Sequence, residues 1–205
     1  MPSTRKTFNC LVVGASGSGK SCFMDAFIMG KNPNEERKEP NSAGISPQLS
    51  RGGTRLTEAR SVVKALKEKD PNNKDQYNIK YLTMTEVPEE LITSGVLFDR
   101  ASENASLLNK CDAVIYIFES NDSEQVDFVK KANEKFRETT ISRFVPSILL
   151  QSKMDLQMPE SGSNRSMMGQ TLASELNIKV YKEISAVQSE ITEAVDSILM
   201  TCNEP

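Results

Sequence analysis

A chain of 205 residues, 38% hydrophobic and 26% charged, is long enough to close one α/β domain around a buried core. Its net charge of -3 and sequence pI near 5.3 leave no electrostatic footprint for nucleic acid or an anionic membrane surface. The complete absence of histidine excludes His-based nucleophilic triads and His-completed zinc sites, and the four cysteines, 10, 22, 111 and 202, lack metal-ligand spacing.

The opening "MPSTRKTFNC" has no apolar run before Phe8, and no stretch of about 18 apolar residues occurs in the sequence, so neither a signal peptide nor a membrane span is expected. Cys10 and Cys111 fall in or beside apolar runs. Buried free thiols in a reducing, cytosolic compartment are therefore expected in place of disulfides.

The first strand is expected at Phe8 to Val13, a continuous apolar run. Directly behind it stands "GASGSGKS", residues 14 to 21, with the G-x-x-x-x-G-K-[ST] spacing of a Walker A loop. A backbone that wraps a polyphosphate must turn its N–H groups inward, and only small residues let it come close. Gly14, Ala15, Ser16, Gly17, Ser18 and Gly19 are all small. Lys20 places a compact positive charge between the second and third phosphates, and the Ser21 hydroxyl supplies one oxygen to Mg²⁺. The helix opening at Lys20, Ser21 and Cys22, with Phe23, Ala26 and Phe27 on one face, aims its positive N-terminal end at the anion. The loop specifies a nucleoside triphosphate and leaves the base open.

Residues 31 to 57 hold three prolines, three glycines and the charge cluster "NEERKEP", and are expected to form one long switch-like loop inside a single domain spanning 1–205. "LTEARSVVKAL" and "YNIKYLTMTEV" are then expected to pair as a hairpin around "KEKDPNNKDQ", although the first also suits a helix. Leu91 to Leu108 has only weak helical periodicity. A strand follows at Ala113 to Phe118, a helix carrying Val126, Val129 and Phe136, and a strand at Ser147 to Leu150. The chain closes with a helix on Met168, Leu172 and Leu176, a strand at Lys179 to Ile184, and a helix from Ile191 to Cys202. Strand and helix alternate, which implies a doubly wound, mostly parallel sheet with helices on both faces, the P-loop NTPase arrangement.

"QSKMDL", residues 151 to 156, follows the strand ending at Leu150. Ligands of open α/β sheets bind outside the carboxyl ends of the strands, so Lys153 and Asp155 are expected at the crevice that holds the Walker loop. The Asp155 carboxylate can accept from guanine N1–H and its exocyclic amine, whereas adenine has no donor at N1. Lys153 can lay its alkyl stem along the base. At the next strand end, "SAV", Ser185, Ala186 and Val187, offers the Ala186 backbone N–H to the guanine carbonyl oxygen.

Walker loop, Lys-x-Asp and Ser-Ala, in this order and each after a strand, resemble the nucleotide site of the Ras-like small GTPases. "KTFNCLVVGASGSGKSCFMDAFIMG" at 6–30, "CDAVIYIFESND" at 111–122 and "QSKMDL" look like the C-terminal GTPase domain of the mitochondrial Rho (Miro) GTPases. That resemblance covers most of the chain outside residues 31 to 75. It implies GTP or GDP with Mg²⁺ as ligands, protein effectors or motor adaptors as partners, and a place at the cytosolic face of the mitochondrial outer membrane. Such proteins carry two GTPase domains flanking EF-hands, and a C-terminal anchor. This sequence then corresponds to one excised domain or a lone relative.

The departures bear on activity. Where the small GTPases place Asn before Lys-x-Asp, this chain has Ser152, with a shorter reach and one donor fewer. Where many have Asp-x-x-Gly-Gln, it reads "EVPEE", Glu86 to Glu90: Pro88 has no N–H, Glu89 stands in place of glycine, and no glutamine follows to orient water. Slow or atypical GTP hydrolysis is the expectation, with no catalytic residue assigned. The switch threonine that would complete Mg²⁺ coordination is not placed within residues 31 to 57: Ser42, Ser46 and Thr54 are candidates, and each reads more readily as an ordinary loop hydroxyl. Two alternatives stay open. One is a P-loop kinase or ATPase that recruits Arg51, Arg55 or Arg60 as a phosphoryl clamp, and the other is a GTPase-fold interaction module that binds nucleotide poorly.

Overall fold

The computed structural model describes residues 6–29, 59–70, 73–119, 121–140, 144–154, 162–185 and 191–203. Strand β1 (Lys6–Val13) leads through the glycine-rich loop into helix α1 (Lys20–Met29). Strands β2 (Arg60–Asp70) and β3 (Asn73–Glu86) form the expected hairpin, antiparallel, with Val62 opposite Met84. Side-chain alternation supports the strand reading of the first arm: from Ser61 to Leu66 exposed residues alternate with buried or half-buried ones, and Val62 is buried between exposed Ser61 and Val63.

The weakly periodic stretch after β3 becomes three short pieces: α2 (Glu89–Thr93), a single 3₁₀ turn (Val96–Phe98) and α3 (Ala105–Asn109). Then come β4 (Ala113–Phe118), α4 (Ser123–Thr139), β5 (Ser147–Gln151), α5 (Gly162–Glu175), β6 (Val180–Glu183) and α6 (Ile191–Asn203). Asp122 caps α4, its Oδ1 accepting from the N–H groups of Glu124 and Gln125 at 3.0 and 3.2 Å.

The six strands lie in the order β2-β3-β1-β4-β5-β6, and every neighbouring pair except β2–β3 is parallel. Successive residues of the central strands face opposite layers. Cys10, Val12, Ile115, Ile117, Ile148 and Leu150 pack with Phe23, Met24 and Phe27 of α1 and Ala194, Val195 and Ile198 of α6. Leu11, Val13, Val114, Tyr116, Phe118 and Leu149 pack with Val129, Ala132 and Phe136 of α4 and Leu172 of α5. Burial on both faces is why these strands are continuous apolar runs. Cys10 and Cys111 are buried and all four cysteines are free thiols.

Parallel pairing puts the carboxyl ends of β1, β3, β4 and β5 on one rim. Val87 N–H donates to the Val12 carbonyl at 3.0 Å, which carries the β1–β3 pairing past the end of β3 and brings residues 86–90 beside the glycine-rich loop.

Candidate functional site

On that rim a cleft of about 510 Å³ is lined by Ser16 to Cys22 together with Arg60, Glu86, Pro88, Glu89, Glu90 and Lys153. The loop's shape follows from its glycines. A Cβ on Gly14 would stand 2.3 Å from the Ile117 carbonyl oxygen of β4, so only glycine lets the chain leave β1 along this path. Gly17 and Gly19 have φ of +77° and +93°, in the left-handed region that larger residues avoid.

Lys20 is nearly buried, and its Nζ donates to the carbonyls of Gly14 and Ala15, each at 2.7 Å. Burial lowers its pKa from the ordinary lysine value, against the opposing pull of Glu86, Glu89 and Glu90. Ser21 Oγ donates to Glu86 Oε1 at 2.8 Å. A hydroxyl and a carboxylate oxygen so placed suit Mg²⁺, which takes few protein oxygens and keeps several waters. No cluster of three or more His, Cys, Asp or Glu side chains able to hold a metal by themselves occurs among the described residues.

Glu89, the first residue of α2, reaches back to the loop. Its Oε2 accepts the Ser16 backbone N–H at 2.6 Å. The other cations among the cleft's described residues are engaged by carboxylates outside its lining: Arg60 bonds Asp25 of α1, and Lys153 Nζ donates to Glu119 Oε2 at 2.6 Å.

Ser152 braces the loop. Its Oγ donates to the Ser18 carbonyl at 2.6 Å and lies 3.2 Å from the Phe118 carbonyl, while its N–H donates to Phe118 at 2.8 Å. This one short side chain ties β5, β4 and the glycine-rich loop. Lys153 adopts φ +59°, a left-handed conformation that costs a non-glycine residue of order 1–3 kcal/mol and is common at ligand sites. Ile184 N–H donates to the Gln151 carbonyl at 2.8 Å and Met154 N–H to the Ile184 carbonyl at 3.4 Å, so the Lys-x-Asp segment and the buried Ser185 start from one place.

The fold thus brings Gly14 to Cys22, Ser152 and Lys153 to one rim, with Ser185 at the neighbouring strand end. Asp155, Ala186 and Val187 lie outside the described residues, as do the loop 31–57 with Ser42, Ser46 and Thr54, and Arg51 and Arg55. The sequence aligned Glu86 to Glu90 with the Asp-x-x-Gly-Gln segment of small GTPases but did not count Glu86 or Glu89 among the nucleotide or metal ligands; the bond from Ser21 to Glu86 fits that alignment, and nothing local pointed Glu89 at Ser16.

No family model matches the chain. It is similar to the protein named mitochondrial Rho GTPase 1 in three fungi. With that of Candida albicans it shares 29% identity over 152 residues, 74% of this chain and 17% of the relative. With that of Saccharomyces cerevisiae it shares 28% over 152 residues, 74% and 18% of the two chains, and with that of Cryptococcus neoformans 26% over 157 residues, 77% and 19%. The chain spans less than a fifth of the length of these curated relatives. Among the described residues no helix is long and apolar enough to cross a membrane.

Proposed function

We propose that this Miro-like small-GTPase domain binds guanine nucleotide with Mg²⁺ and acts as a switch whose GTP hydrolysis is slow or atypical. One observation carries the reading: the glycine-rich loop, the α1 N-terminus with Lys20 and Ser21, and the Ser152–Lys153 segment share one rim. In this reading the N–H groups of Gly17 to Cys22 hold the inner phosphates, the first turn of α1 having donors without intrahelical acceptors. Lys20 exchanges its carbonyl contacts for phosphate oxygens. Ser21, with Glu86 behind it, holds Mg²⁺, which when bound neutralises charge between the phosphates. Lys153, Asp155, Ser185, Ala186 and Val187 take the base, and Ser152 keeps the loop in register.

Slow hydrolysis follows from Glu86 to Glu90. Pro88 offers no N–H, and Glu89 brings a carboxylate against the loop, where a developing anion would need a donor. A kinase or ATPase reading keeps one point in its favour, the presence of Arg60 in the cleft, but its guanidinium is held by Asp25. The relatives' name as mitochondrial Rho GTPases supports a mitochondrial place, and the family resemblance of the sequence extends this to the cytosolic face of the outer membrane and to protein effectors or motor adaptors as partners.

The test is direct. Purified protein is denatured, and any released nucleotide is identified by chromatography; the emptied protein is then titrated with GDP, GTP and ATP. GDP or GTP in the supernatant and preference for guanine support the reading, and equal competition by ATP gives the cleft to the kinase or ATPase alternative. Mitochondrial enrichment of the tagged full-length protein tests the cellular part.

A further inference from the structure

We propose that Glu89 is an intramolecular stand-in for the terminal phosphate, a specificity residue that makes the cleft prefer a nucleoside diphosphate over a triphosphate. The inference rests on the guanine-nucleotide reading above and concerns what that site selects.

The contact is a carboxylate on a phosphate-loop donor: Glu89 Oε2 lies 2.6 Å from the Ser16 backbone nitrogen. A charge-assisted bond of this kind is roughly twice as strong as a neutral one. It is also held in place. Val87 is tied to Val12 by a 3.0 Å hydrogen bond, and Val87, Ile92 and Leu97 are buried, so the backbone carrying Glu89 is anchored on both sides.

Position decides which phosphate the carboxylate opposes. In a loop of this kind the later N–H groups and the helix start cradle the inner phosphates, the lysine reaches the outer pair, and the Ser hydroxyl meets the metal. Ser16 precedes that cradle. It lines the same cleft as Lys20, Ser21 and Glu86, and in this proposal, being ahead of the donors that take the inner phosphates, it faces the outer end of the polyphosphate. A diphosphate leaves Ser16 to Glu89. A triphosphate brings a further anion to a donor already taken by a fixed negative charge, and must displace it or bind beside it.

The charge balance sharpens the effect. Glu86, Glu89 and Glu90 line the cleft, and of the three cations among its described residues Arg60 and Lys153 are paired with Asp25 and Glu119, which stand outside its lining. Among the described residues Lys20 is left to offset the glutamates.

The experiment uses the full chain stripped of nucleotide, with GDP and a non-hydrolysable GTP analogue titrated separately in the presence of Mg²⁺. Wild type should bind GDP more tightly. Glu89→Gln, which keeps shape and loses charge, and Glu89→Ala should each strengthen the triphosphate by about 10-fold or more and change GDP by less than about 2-fold. Glu90→Gln, the adjacent carboxylate without a contact to Ser16, should give a smaller gain. Equal gains for both nucleotides, no gain, or a gain in Glu90→Gln matching that in Glu89→Gln would overturn the proposal while leaving guanine-nucleotide binding standing. If wild type and every variant bind neither nucleotide, the functional reading falls and the role of Glu89 falls with it.

Discussion

Gly14→Ala adds one methyl group at the point where β1 becomes the glycine-rich loop. That Cβ would lie 2.3 Å from the Ile117 carbonyl oxygen and 2.6 Å from Ser18 Oγ, so about 1 Å of movement is needed to reach ordinary contact. Ser18 Oγ can rotate away; the carbonyl cannot, because β4 is held between β1 and β5, with Val13 facing Tyr116 and Leu150 facing Ile117. Overpacking a close-packed interior costs about 1–3 kcal/mol, and spoiling one backbone hydrogen bond adds about 0.5–1.5 kcal/mol. The variant should therefore lose about 2–4 kcal/mol. Gly17→Ala is the matched control: its Cβ would meet nothing within 4 Å, but its φ of +77° charges the new side chain about 1–2 kcal/mol of backbone strain. With no tryptophan in the chain, urea unfolding is followed by far-UV circular dichroism. A Gly14→Ala midpoint indistinguishable from wild type, or a loss smaller than that of Gly17→Ala, would refute the claim that β4 fixes the path of the loop.

Lys20→Ala should weaken nucleotide binding by 100-fold or more, since losing charged hydrogen bonds to phosphate costs at least about 3 kcal/mol; calorimetric titration with GDP and Mg²⁺ reads this. Asp155→Asn should weaken GTP and favour xanthine nucleotides, whose N1 and C2 face presents a different donor pattern, as read by competition binding. Single-turnover phosphate release should be very slow in wild type and nearly unchanged in Glu90→Gln; fast release that collapses in Glu89→Ala or Glu90→Ala would reveal a working catalytic carboxylate. A thiol alkylating agent at mild alkaline pH should modify exposed Cys22 first and leave Cys10, whose pKa is raised by the Cys202 sulfur 3.8 Å away and by burial. Because Cys22 lines the cleft, GDP with Mg²⁺ should slow its labelling; peptide mass spectrometry assigns the site.

Local pattern carried the parallel core. Ala113 to Phe118 is a strand to the residue, and Phe8 to Val13 and Ser147 to Leu150 differ from the observed strands only at one end. Such runs are unambiguous because a strand buried on both faces needs an apolar side chain at nearly every position. The Walker spacing was equally legible, since its residue types are dictated by a short contiguous backbone and φ values such as those of Gly17 and Gly19 are open to few other residues. The β2 arm was ambiguous because alternation and helical spacing compete over a short segment, and pairing of Val62 with Met84 decided it. Ser152 shows the same division: its identity announced a missing asparagine, but its bracing of Ser18, 134 positions away, depends on β4 and β5 lying side by side. The engagement of Ser16 by Glu89, 73 residues apart, is likewise a product of tertiary structure. A glutamate at a helix start is ordinarily solvated, and only the parallel pairing of β1 with β3 turns this one into the loop, because it sets the two strand ends on the same rim.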